Sequence, residues 1–70
     1  MHTLIVAPNM NNPDDFYALL LETHAGKSQT ESNALNARLI LLLANHIGDM
    51  AVLKEALKHA GSRAVTQNAD

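Results

Sequence analysis

Seventy residues, with five Lys/Arg against seven Asp/Glu, no Cys, no Trp, one Phe and one Tyr, allow one small domain with an aliphatic core. The absence of cysteine excludes a disulfide framework, a thiolate nucleophile and a Cys-based zinc site, and it agrees with a reducing compartment. The mildly acidic balance excludes the broad basic patch with which nucleic-acid binders displace counterions from phosphates.

Residues 1–11 have no helical period. The stretch LIVA (4–7) has strand propensity, but Pro8 and the Asn-rich NMNN end it quickly. A flexible leader is expected, with an arm packed on a neighbouring subunit as the sharper alternative. The leader lacks the positive n-region and long apolar core of a signal peptide. No apolar run in the chain approaches the length of a membrane span, and a cytoplasmic protein is the default expectation.

The first helix is predicted over 13–25. Asn12 can cap it, Pro13 suits the first helical position, and Asp14 and Asp15 sit where the helix dipole favours negative charge. Phe16, Leu19, Leu20 and Thr23 recur at helical spacing, and Gly26 supplies the stop. The second helix is predicted over 29–47, starting from a capping box of Ser28 and Glu31 and ending at Gly48. The third, over 50–60, is capped by Asp49. It places Met50, Val52, Leu53, Ala56, Leu57 and Ala60 on one face and Lys54, Glu55, Lys58 and His59 on the other. Residues 62–70 read as a flexible tail. The expected fold is therefore all-α, three helices in a domain over 12–61, joined by tight glycine turns around a long central helix.

The central helix carries the most information. Glu31, Arg38 and Asn45 recur every seven residues and form one narrow polar line, spanning about 40°. Nearly everything else on it is apolar, whereas an ordinary surface helix buries a stripe of little over about 100°. Two short amphipathic helices cannot cover so wide an arc, and the economical cover is a second copy of the same helix. A homo-oligomer, foremost a two-fold dimer, is expected, with Asn36, Ile40, Leu43 and Ile47 as its interface. An Asn at such a place (Asn33 or Asn36) either fixes register by bonding its symmetry mate or is only half-exposed between helices.

The turn NHIGD (45–49) invites a site. Its structural reading has Ile47 anchoring the helix end, Gly48 left-handed and Asp49 capping the next helix. His46 then points towards the core flank, bonding a backbone carbonyl or Asp49. The functional reading makes Arg38, Asn45, His46 and Asp49 a ligand-binding or catalytic elbow, with His46 as base or ligand. The four histidines show no HxxxH or HExxH spacing, so neither metal nor cofactor is expected. His59 and Glu55 make at most a surface pair. No phosphate loop, nucleophile elbow or carboxylate pair appears, and the chain alone is a poor candidate for an enzyme. A helix-turn-helix reading has partial support from Ala44, Ile47-Gly48 and Leu57. It fails on the short turn, on Lys54 at a core position and on a would-be recognition helix that pairs Lys54 and Lys58 with Glu55.

The stretches DDFYALLLETHAGKS and LNARLILLLANHIGDMAVLKEAL resemble a small uncharacterised bacterial family of short helical proteins, over residues 13–60. The residues that carry the likeness are Asp14, Asp15, Phe16, Tyr17, Leu35, Asn36, Arg38, Asn45, His46, Gly48 and Asp49. The resemblance brings no activity and no catalytic residue. It implies an accessory role beside a flavin-dependent oxidoreductase or in aromatic-compound catabolism, an associational inference. The expected function is thus a small non-catalytic interaction protein, with the elbow reading as its rival.

Overall fold

The computed structural model describes residues 3–62, which form three helices and no strand. They are α1 (Pro13–His24), α2 (Gln29–Ile47) and α3 (Met50–Ala60). The all-α expectation holds; α2 and α3 span the residues expected, and α1 ends one residue earlier than expected, at His24. The tail from 63 onward lies outside the described residues, as does His2.

Most of the local signals work by the chemistry that predicted them. At the start of α2, the Glu31 amide donates to Ser28 Oγ at 3.2 Å while the Ser28 amide donates to Glu31 Oε1 at 2.9 Å, the reciprocal capping box. At its end Gly48 takes φ 74° and its amide donates to the Ala44 carbonyl at 2.8 Å. Asp49 Oδ1 then accepts from the amides of Ala51 (2.9 Å) and Val52 (3.3 Å) at the head of α3. Between α1 and α2, Gly26 is also left-handed, at φ 77°.

The start of α1 differs from expectation. Asn12 occupies the cap position, but its side chain makes no capping bond. Its carbonyl accepts from the Phe16 amide at 3.1 Å, so proline at the first helical position, with its preset φ and missing N–H, does most to define this end.

Packing departs further from the sequence reading. Among the described residues none is buried. The side of α1 turned to α2 runs through Leu20 and His24, which are half-buried, whereas Leu19 is exposed. Thr23 turns its hydroxyl back to the Leu19 carbonyl at 2.7 Å instead of meeting α2. On α2 the half-buried side chains are Ser32, Leu35, Leu39 and Ala44, and on α3 they are Val52, Leu53 and Ala56. Met50, Leu57 and Ala60, expected on the inner face of α3, stand exposed. The leader touches the helices at Leu4, half-buried, whose amide donates to Glu55 Oε1 on α3 at 3.0 Å.

Candidate functional site

The elbow does not gather its residues. Asn45 and His46 are both exposed, and successive positions on a helix diverge by about 100°. His46 does not reach a core flank, because Leu42, one turn before it, is itself 68 % exposed. Its ring has no hydrogen-bond partner among the described residues. Asp49 is half-buried and serves as the α3 cap. Arg38 stands two turns back, about 10 Å along the axis. There it borders a shallow open groove of about 450 Å³ with Ala25, Gly26, Lys27, Glu31 and Ala34, at the α1–α2 turn. The geometry of NHIGD is that of a helix junction.

The polar cluster that does form was missed by the sequence reading. His24, in the last turn of α1, sits with Nδ1 2.8 Å from Ser32 Oγ and Nε2 3.1 Å from Asn36 Oδ1. Ser32 and Asn36 lie four residues apart, on one face of α2. A carbonyl oxygen only accepts, so Nε2–H donates to Asn36, while Nδ1 and the Ser32 hydroxyl share the second bond, either group being able to donate in it. This assignment follows from the bonding network. Hydroxyl, imidazole and an orienting amide superficially match a nucleophile with its base. Ser32, however, lies inside the helix, its own amide committed to the Ser28 carbonyl at 2.9 Å, and neighbouring amides are held in the same ladder. The free N–H pair needed to stabilise an oxyanion is therefore missing at this point. The cluster is a clasp between α1 and α2. The signal that could have found it is the capping box: it fixes the start of α2 and so places Ser32 and Asn36 one and two turns in, facing the end of α1.

Asn36 also bears on the expected interface. Its amide oxygen accepts from His24 of the same chain at 3.1 Å, so its side chain is oriented by a bond within the chain. Asn33 accepts from Gln29 Nε2 at 2.9 Å along the surface of α2. Further along the same stripe Ile40, Leu43 and Ile47 are 62 %, 49 % and 49 % exposed. They fall within an arc of about 60°. The half-buried Leu35 and Leu39 lie on one flank of this stripe and the half-buried Ala44 on the other, so contacts within the chain border the three large residues and leave them half to two-thirds exposed.

Among the described residues no group of three or more His, Asp or Glu could hold a metal ion, and no helix is long and apolar enough to cross a membrane. A family model described as "Protein of unknown function (DUF2783)" matches residues 4–62, reaching further towards the N-terminus than the stretches that carry the resemblance. No curated protein and no solved structure matches the chain.

Proposed function

The chain belongs to this family of proteins of unknown function (DUF2783), and we propose that it is a small non-catalytic interaction protein that self-associates through α2. The observation that carries the proposal is the row of Ile40, Leu43 and Ile47, half to two-thirds exposed on the longest helix of a domain with no buried side chain among its described residues. Ordering a residue costs about 1–2 kcal/mol of backbone entropy, and burial of apolar surface is the main term that offsets it. Three half-covered helices supply little of that term by themselves. A second copy laid on the open stripe supplies more, without a metal or a disulfide.

The proposal extends to an accessory role in a bacterial cytoplasm, beside a flavin-dependent oxidoreductase or an enzyme of aromatic-compound catabolism. That extension rests on the family resemblance alone. No observation favours the elbow as a binding site, since Arg38 borders a different groove and His46 and Asn45 diverge.

Two measurements test the proposal. Folding linked to association makes the melting temperature rise with protein concentration; a melting temperature unchanged over a hundredfold range of concentration counts against self-association. For the extension, affinity capture of the tagged chain from its host should recover an oxidoreductase in stoichiometric amount. Recovery of the chain with only its own copies removes the accessory role and leaves self-association standing.

A further inference from the structure

Resting on the proposed partnership with another protein and not on self-association, we infer that the leader is the docking element: residues 3–6 add as a short strand to an open sheet edge of the partner. Residues 3–6 lie in no helix, strand or turn and carry no charge. The main-chain amides of Ile5, Val6 and Ala7 have no hydrogen-bond partner among the described residues. The side chains of Ile5 and Val6 are 63 % and 72 % exposed, although β-branched residues suit a pleated, covered surface. The span matched by the family begins at residue 4, so this stretch belongs to the family's common chain.

Leu4 is half-buried and its amide donates to Glu55 Oε1 at 3.0 Å, which ties one edge of the stretch to α3. Successive amides of an extended chain point to opposite edges, so Ile5 then offers its N–H and carbonyl away from α3. A residue placed so makes both bonds of a hydrogen-bonded antiparallel pair. The bend at Ala7 and the missing N–H of Pro8 end this edge. Side chains alternate across a strand, so the exposed Ile5 and Val6 fall on opposite faces, and both faces are apolar. Such a strand belongs in a sheet covered on both sides. A two-stranded ribbon made with the leader of a second copy lacks that cover and is marginal in water. The occupant that fits is the free edge of a multi-stranded sheet, whose main chain supplies affinity and whose side-chain pockets supply the choice of partner.

Photo-crosslinking in the host tests this, with a benzophenone amino acid in place of Val6 in the full chain. Crosslinked peptides should map to one strand of another protein, and the outward amides of that strand should exchange more slowly in the complex. Ile5→Pro removes the outward N–H and should lower the crosslinked yield by about tenfold. Its circular dichroism should be unchanged, because Ile5 lies outside α1, α2 and α3. Crosslinks to a helix or loop of another protein overturn strand addition and leave the partnership standing. Crosslinks confined to the leader of a second copy overturn it in favour of a ribbon between copies. No crosslink, or a yield untouched by Ile5→Pro, also overturns it. Affinity capture through a C-terminal tag then shows separately whether the partnership itself survives.

Discussion

His24 on α1 and Ser32 on α2 meet with imidazole Nδ1 2.8 Å from the hydroxyl oxygen, and the other ring nitrogen continues to Asn36 at 3.1 Å. These are the side-chain hydrogen bonds that tie α1 to α2. An ordinary intramolecular hydrogen bond contributes about 0.5–1.5 kcal/mol net. His24→Ala should therefore lower stability by about 1–2 kcal/mol in urea unfolding. His46→Gln, at an exposed ring with no partner among the described residues, should stay within about 0.5 kcal/mol of the parent. Equal effects at the two histidines would remove the clasp from the account.

The α2–α3 junction depends on its backbone. A Cβ on Gly48 would meet only the Asn45 carbonyl, at an ordinary 3.8 Å, but the residue holds φ +74°. Gly48→Ala should thus destabilise by about 1 kcal/mol through backbone strain, without a steric clash. Asp49→Ala removes the acceptor for the Ala51 and Val52 amides and should also destabilise by about 1 kcal/mol. Thermal melts of the two variants check both figures, and a neutral Gly48→Ala would show that the turn relaxes to another conformation.

The leader is attached through a bond between a backbone amide and a surface carboxylate. Glu55→Ala removes the acceptor of the Leu4 amide while leaving an exposed helical position otherwise undisturbed. Faster hydrogen exchange at Leu4, with protection inside α3 unchanged, is the expected outcome. Unchanged exchange at Leu4 would mean that the contact is not formed in solution.

Helix ends were legible in the sequence because their causes are local. Ser28 with Glu31, Gly48 and Asp49 each act within four residues, and each is found as read. Asn12 shows the limit of the same logic, since a capping residue stands in place without capping. Which face of each helix turns inward was less legible. On α1 the choice between Thr23 and His24 was set by the partners waiting on α2, Ser32 and Asn36, and no period within α1 encodes them. His46 attracted the functional reading because it interrupts an apolar run, while His24 looked like an ordinary last-turn residue. Single-helix patterns carry no account of what another helix offers.

The apolar stripe of α2 gives the most consequential substitution. Ile40→Glu or Leu43→Glu places a carboxylate on a surface that self-association would desolvate, a severe penalty for an unpaired charge. Each should dissociate the assembly and lower the melting temperature together, because the two equilibria are linked. Arg38→Ala, on the far side of the helix, should change neither. Circular dichroism melts beside light scattering read both quantities in one sample set. A Leu43→Glu protein as stable and as associated as the parent would remove α2 from the interface.

The central claim, that α2 covers its exposed stripe with a second copy of itself, is tested most directly by sedimentation equilibrium of the unmodified chain across the micromolar range. The account predicts a mass of twice the monomer or more, falling towards the monomer on dilution. A single monomer mass at every concentration, in a protein that still melts cooperatively, would contradict it.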